Sequence, residues 1–592
     1  MRIRKLFGLG IFLVVGAGCG GFFATDDNCL TLGCPVGGVC VEWEEGKARC
    51  EKAPSPQEAE PEPECRDGYD LALEVLGRRL PGGALLLGER VQVCAELQLP
   101  SVPLQCVQPE LLGMDIGNLQ RGHREEQLTW KPVAGATASR ICQEAWLPLS
   151  WERGDTQIAV SVRMAGSSTP LRQSLTVLLT RTACSFAASG LGDNAVTQPL
   201  VVSGSRLLFG TSPGNDSHLH VFDTSSCTLA GSLHTGAVQG PMVALGDTGY
   251  VAVATNGTGT GVRRTPRLTL VNAQGAPPDF DALSSNADAS DCVQLTASTT
   301  FDRGLSLLSL GDENTPRSRS WRLVAPANNT TQPRLVAYAP FETTGTGSTA
   351  INARCTRSAT TVLYPFLIPT AQRANGSVVG VFGNTAASYV SVWEWTSTLV
   401  YSSSTAQAMT LGSSSVMVIA GENEDILIND VNQNPMAVDS LSRVYFVHLN
   451  MDSNSYRLER MSTPTVPRSV SDVSFQKAPV GSPLLGEASA DNAAEVYVVT
   501  TAGEVLAFEA ESLRHVWTEP LGFDISPTAQ PVLVAHADGS GTLWVVGMRG
   551  EIRGIRVGNH GLNRRAQWPK AFRDNCNTSS RMSNPNVLLG CF

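Results

Sequence analysis

A proline followed by a short apolar run, a polar turn and an aromatic-containing strand recurs from about residue 186 onward. The plainest copies begin at Pro199 (then Leu207-Leu208-Phe209), Pro241 (then Tyr250-Val251-Ala252-Val253), Pro435 (then Val444-Tyr445-Phe446-Val447), Pro483 (then Val496-Tyr497-Val498-Val499) and Pro531 (then Leu543-Trp544-Val545-Val546). The first two start 42 residues apart and the last three 48 apart, a blade-sized period. Pro241 to Pro333 spans 92 residues and Pro333 to Pro435 spans 102, so each leaves room for two units, with degenerate copies near Val293 and Val378. One four-stranded sheet of this size cannot cover its own apolar faces, so neighbours must stack and the series must close on itself. The expected fold class is all-β, a seven- or eight-bladed β-propeller over 186–592.

Composition agrees with many short strands. The 592 residues include 56 Gly and 34 Pro, with only 17% charged residues, which suits strands joined by turns better than helices. A formal net charge of −10 repels phosphate backbones, and no Lys/Arg run overrides it, so nucleic acid is excluded as a partner class.

The N-terminus carries Arg2, Arg4 and Lys5, an apolar run from Leu6 to Val15, and Gly16-Ala17-Gly18 ahead of Cys19. That run is shorter than the roughly 20 residues of a membrane span and has the order of a secretion signal. Small residues directly before a cysteine resemble a bacterial lipobox, although that family prefers a branched apolar residue where this chain has Gly16. The resemblance implies a signal peptide over 1–18, lipidation of Cys19, a tether over 19–28 and attachment to the membrane through the lipid anchor. Removing Cys19 from 15 cysteines leaves 14, which can pair completely in an oxidising compartment. Gly20, in place of Asp, resembles lipoproteins sorted to the outer membrane, so the expected location is the cell envelope.

Cys29, Cys34, Cys40 and Cys50 follow C-x4-C-x5-C-x9-C in a segment too small to bury a core, and four cysteines allow three connectivities. Zinc ligation is disfavoured because there is no C-x2-C pair and no histidine nearby. The segment 29–50 resembles the EGF-like hairpin of follistatin-type modules, which implies Cys29 with Cys40 and Cys34 with Cys50. Residues 51–64 alternate proline with like charge and read as a linker. Over 65–185 the pattern turns to period-2 alternation, as in Val91, Val93 and Ala95, then Ile158, Val160 and Val162. A small β-sandwich, immunoglobulin-like or fibronectin-like, is expected there. Its five cysteines, 65, 94, 106, 142 and 184, cannot all pair internally, so at least one reaches the next domain.

Glu495 to Trp517 resembles a quinoprotein-like (PQQ-like) propeller repeat along its whole length. Trp568-Pro569-Lys570-Ala571-Phe572-Arg573-Asp574-Asn575, followed by Asn577-Thr578, is similar to a segment at the seam of such propellers, here one residue longer. Cys576 with Cys591, and Cys292 with Cys355, are the remaining disulfide candidates. The resemblance extends to the fold only: quinone-dependent alcohol dehydrogenases carry adjacent cysteines over the cofactor, and this chain has no two consecutive cysteines. No cofactor is assigned.

Other motifs read as structural. Gly210-Thr211-Ser212-Pro213-Gly214 matches G-x-S-x-G, but Pro213 has no N–H for an oxyanion hole and the chain leads into another strand, so a hairpin turn is expected. His218 and His220 share one strand face at a ligand spacing, yet no third ligand is identifiable, and surface or inter-blade histidines are the preferred reading. Asp430-Val431-Asn432-Gln433-Asn434 begins like a calcium loop, but Pro435 stands for the required Gly and Leu441 for the bidentate Glu. Gly257, Gly259 and Gly261 lack the dinucleotide-binding spacing.

With no catalytic residue and no metal site assigned, the expected function is a lipid-anchored envelope binding or scaffolding protein whose propeller holds a protein or glycan partner. In fold and anchoring it resembles the lipoprotein propeller of the outer-membrane β-barrel assembly machine. The rival is a quinoprotein-like oxidoreductase or a propeller lyase whose titratable groups converge only in three dimensions.

Overall fold

The computed structural model describes the strands and most tight turns between Gly38 and Asn577. Residues 1–37, 53–69, 99–109, 118–130, 188–194, 256–266, 281–304, 310–320, 362–370, 401–407, 419–435 and 578–592, with shorter loop stretches, lie outside the described residues. What is described is all-β, with one 3-10 turn at Gly246–Thr248 and no helix long and apolar enough to cross a membrane. The chain divides into two compact units, 1–70 with 97–108, and 71–96 with 109–592. In the first unit Gly38–Glu44 and Lys47–Lys52 form an antiparallel hairpin that sets Cys40 opposite Cys50 in register.

The second unit starts with two four-stranded sheets. One has the order Asp70–Leu76, Arg90–Gln98, Arg140–Trp146, Lys131–Pro132; the other Leu85–Leu86, Leu171–Thr180, Gly154–Met164, Leu111–Gly117. Alternation decides their inner faces: Ile158, Val160 and Val162 are buried while Gln157, Ala159 and Arg163, which alternate with them, are exposed. A disulfide joins Cys94 to Cys142, which are register partners on adjacent strands of one sheet.

Seven antiparallel sheets follow among the described residues, at 201–234, 243–280, 306–361, 371–418, 436–470, 484–520 and 532–557, numbered here sheets 1 to 7. Sheets 2 to 6 are four-stranded meanders, and sheet 1 gains a fifth strand, Ala195–Val196. Sheet 7 has three strands of its own and takes its fourth, Thr182–Phe186, from ahead of sheet 1, with Thr182 opposite Ile555 and Phe186 opposite Ile552. The alternation over 65–185 assigns that strand to the sandwich; its pairing assigns it to sheet 7. Cys184 within it is disulfide-bonded to Cys227 in the turn between the last two strands of sheet 1.

Pro199, Pro241, Pro435, Pro483 and Pro531 each stand one or two residues ahead of a sheet's first strand. Pro333 does not: it precedes Arg334–Thr343, the third strand of sheet 3. A proline lacking an N–H is tolerated ahead of any strand, so its presence does not distinguish the first from the third. First strands are spaced 42, 63, 65, 65, 48 and 48 residues apart. Long strands, Thr349–Thr361, Tyr389–Val400 and Ala408–Val418, stretch the middle units, and three described sheets fill the span from Pro241 to Pro435 where eight equal units need four.

Sheets 6 and 7 are apolar on both faces, which is why their strands read as continuous runs such as Glu495–Val499 and Gly541–Val546 rather than alternating ones. One core cluster joins sheets 1, 2 and 3 through Leu208, Leu219, Val251, Leu270, Leu307 and Leu323. Another joins sheets 6, 7 and 1 through Tyr497, Trp517, Trp544, Ile555, Leu207 and Phe209. A third joins sheets 5 and 6 through Tyr445, Leu458, Val496 and Phe508. Polar stitches run along the same seams. Ser482 N donates to Gln530 Oε1 at 2.6 Å between sheets 6 and 7, and Gln274 Nε2 donates to Ser203 O at 2.6 Å between sheets 2 and 1.

At the closing strand, Gly554 lies opposite Cys184 in register, and a Cβ there would come within 2.8 Å of the Trp544 ring. Gly554→Val is expected to lower stability by about 1–3 kcal/mol through overpacking, read from the midpoint of chemical denaturation. An unchanged midpoint would show that the ring and the strand do not pack this closely.

Candidate functional site

Three buried polar clusters among the described residues have the ingredients from which a site is made. The first lies where the N-terminal sheet pair meets sheets 6 and 7. Arg181 sits between Leu171–Thr180 and the closing strand, and its main-chain oxygen accepts from Arg556 N at 2.7 Å. Its Nη2 donates to Trp151 O at 2.8 Å and to Leu149 O, and its guanidinium lies 4.1 Å from the centre of the Trp517 ring. Arg153 Nη1 donates to Glu519 Oε1 at 3.4 Å. Burial lowers the Arg181 pKa to about 10, partly offset by Glu495, Glu519 and Tyr497. Burial also raises the Glu519 carboxyl above its ordinary range, against the pull of Arg153 and Arg181. Arg181 Nη1 and Glu519 Oε2 are buried without a hydrogen-bond partner. The joint holds charge, but no nucleophile is among these groups, and its contacts fasten the 149–153 loop to sheet 6.

The second cluster is the segment that the sequence places at the propeller seam. Lys570 is fully buried; its Nζ donates to Asp574 O at 3.2 Å and to Asn577 Oδ1 at 3.1 Å. Asn577 Nδ2 donates to Leu200 O at 2.9 Å, and Ala244 N donates to Cys576 O at 2.9 Å. The segment thus bridges the start of sheet 1 and the first strand of sheet 2, and Cys576 within it is disulfide-bonded. Burial depresses the Lys570 ammonium to about 7, with Asp574 opposing. An amine of that pKa is reactive in the open, but here it is sealed and serves the seam.

The third cluster is on sheet 1. His218 and His220 stand on the strand His218–Asp223, two apart on one face, with ring centres 6.0 Å apart. His220 is buried, its Nδ1 2.7 Å from Ser232 Oγ and its Nε2 3.3 Å from Thr211 Oγ1. Burial, aided by His218, depresses its pKa to about 4, so the ring is neutral at pH 7. The next strand, Thr228–His234, brings a residue that sequence reasoning missed: His234 is the register partner of His218. A bulge between Val221 and Phe222 makes this so. Pairing continued without it from Asp223 and Thr228 would set Leu233 opposite His218. A hairpin turn near Ser225 and Ser226 is legible in the sequence, but the one-residue shift is not. Among the side chains that are described, no three His, Cys, Asp or Glu gather into a metal-binding group.

The remaining motifs fall as follows. Gly210, Thr211 and Ser212 end the strand Arg206–Ser212, which pairs antiparallel with His218–Asp223, while Pro213 and Gly214 lie outside the described residues. Cys40, Cys50 and Cys355 stand in strands. Cys19, Cys29, Cys34, Cys292, Cys591, the 430–434 loop and Gly257, Gly259 and Gly261 lie outside the described residues.

No protein-family model matches the chain, and no curated protein matches it. Among solved structures it is similar to a chain in the crystal structure of BBS1N in complex with ARL6DN soaked with lead, with a TM-score of 0.36 and 10% identity over 65% of this chain and 99% of that one. The same complex soaked with mercury gives a TM-score of 0.34 and 11% identity over the same shares. Scores this low transfer no residue role to this chain.

The His220 shift has a measurable consequence. Its folded pKa, about 4, lies below the ordinary 6.5, so between these values the unfolded chain binds a proton that the folded one refuses. The resulting stability is fully present above pH 6.5 and is lost as pH falls toward 4. His220→Asn is therefore expected to lose stability less steeply than wild type across that window in denaturation midpoints. Parallel curves would refute the assignment.

Proposed function

We propose that this chain is an exported envelope lipoprotein, anchored through Cys19, in which an EGF-like hairpin and an immunoglobulin-like sandwich precede a seven-bladed propeller that holds a protein partner without catalysis. The observation that carries the reading is the completion of sheet 7 by Thr182–Phe186, because a series of stacked sheets that borrows its last strand from its own beginning is a closed, rigid platform. Its loops are then free to vary for binding while the core holds still. Two of the buried polar clusters point the same way, since Arg181 and Lys570 are spent on joining elements. A glycan partner suits the same platform. The enzyme reading, as an oxidoreductase or lyase, has no converging set of groups assigned to it among the described residues.

Two measurements test this. Labelled palmitate should enter the full chain and not the Cys19→Ala variant, which should leave the membrane fraction; a variant that still labels overturns the anchor. Cross-linking in intact cells should give one discrete adduct of the anchored chain. Quinone-dependent dye reduction by the purified chain, with no adduct, overturns the scaffold in favour of the oxidoreductase.

A further inference from the structure

We propose that Lys570 and Asn577 are a self-modification site, where the lysine amine and the asparagine carboxamide join in an isopeptide bond with Asp574 as the proton carrier. All three residues have no exposed surface. Lys570 Nζ stands 3.1 Å from Asn577 Oδ1, and the amide carbon is one C=O bond, about 1.2 Å, beyond that oxygen. A small rotation at the lysine terminus therefore brings nitrogen and carbon to the roughly 3–3.5 Å from which bonds form. The local fold sets this up: Asn577 N donates to Asp574 O at 3.0 Å, closing a turn, and the left-handed φ of 55° at Asn577 is one that asparagine tolerates. The turn carries the carboxamide back toward Lys570, and Asn577 Nδ2, donating to Leu200 O at 2.9 Å, leaves Oδ1 as the atom that faces the amine.

The chemistry of the pocket suits the step. Both acceptors of Nζ are neutral carbonyl oxygens, which do little to keep an ammonium charged inside a core. With its pKa near 7, a large share of Lys570 is the free amine at neutral pH, and a neutral buried lysine is a nucleophile. The sealing that bars outside reagents also bars water, which would otherwise compete for the carbonyl. Asp574 lies near enough to raise the lysine pKa against burial, so its carboxylate is placed to accept a proton from Nζ as the bond forms and return it to the departing nitrogen. The balance is complete without an oxidant or cofactor: the Nζ–Cγ bond forms, the Cγ–Nδ2 bond breaks, one proton moves from Nζ to Nδ2, and ammonia leaves. The product ties off the loop that bridges sheets 1 and 2, beside the disulfide-bonded Cys576.

The test is mass spectrometry of the purified full chain after reduction and alkylation. The peptide map should show a loss of one ammonia, and trypsin should leave Lys570 uncut and release 566–573 joined to 574–581 as one branched peptide. Lys570→Arg and Asn577→Ala should each abolish the branched peptide, Asp574→Ala should lower its yield at least tenfold, and Lys477→Arg, at an exposed site, should leave it unchanged. In pulse-labelled chain the bond should form faster as pH rises through about 7, where the amine loses its proton, and level off above. Asp574→Asn serves if Asp574→Ala fails to fold, and the wild-type map decides the bond by itself. The proposal falls if trypsin cuts wild type at Lys570 and no ammonia is lost. It falls equally if ammonia is lost while Lys570 is still cut, the mark of a succinimide at asparagine. A folded Asp574→Asn chain that forms the bond at the wild-type rate overturns the role of Asp574. None of these results bears on the palmitate or in-cell adduct experiments, so the isopeptide bond and the scaffold reading stand or fall separately.

Discussion

Five main-chain residues carry the architecture of the larger unit. Ile552–Val557 would be an open edge, a row of unpaired N–H and C=O groups inviting aggregation, were it not paired with Thr182–Phe186. The pairing joins segments more than 360 residues apart in sequence, so its loop-closure cost falls late and is recovered only when the sheets between are in place. The bond from Cys184 to Cys227 then ties the closing strand to sheet 1, and Phe186 meets Phe222 edge to face at 5.4 Å. The end and the beginning of the series are thereby held by backbone pairing, a covalent link and aromatic packing at one place.

The seams between sheets obey a common rule. Apolar residues supply the area, and a few buried polar groups set the alignment, because such groups are costly unless their partners are met. Asp439 shows this in sheet 5: it accepts Arg443 Nε at 2.6 Å and Tyr445 OH at 3.2 Å, while Arg443 Nη1 reaches Glu511 of sheet 6 at 2.6 Å. Burial beside Asp439 pushes the Tyr445 phenol up to about 12, so it remains a donor at any physiological pH. Lys570 does the same for sheets 1 and 2, and Gln530 for sheets 6 and 7. These groups fix which sheet face meets which, a choice that Val and Leu alone leave loose.

Much of this was legible in the residues. The prolines at 199, 241, 435, 483 and 531 mark five of the seven first strands, because a proline ahead of a buried strand has no N–H to leave unmet. Double-sided burial shows as unbroken apolar runs such as Val496 to Val499. Legibility fails in the middle units, where strands of 11 to 13 residues break the period and Pro333 marks a third strand. Of the sheet 1 cluster, His218 and His220 were visible as a spaced pair; His234 was not, since its place depends on a bulge that no residue type announces.

Local chemistry therefore determined the kind of element and its burial: all-β structure, short strands entered after proline, and strand faces apolar on both sides, each set by neighbours a few positions away. What only tertiary structure decided are relations between distant segments: the assignment of Thr182–Phe186 to sheet 7, the partner of Cys184, and the register that sets His234 opposite His218. Register is a property of a pair of strands, and a shift of one residue exchanges every face, so it is settled by packing that a single segment does not contain.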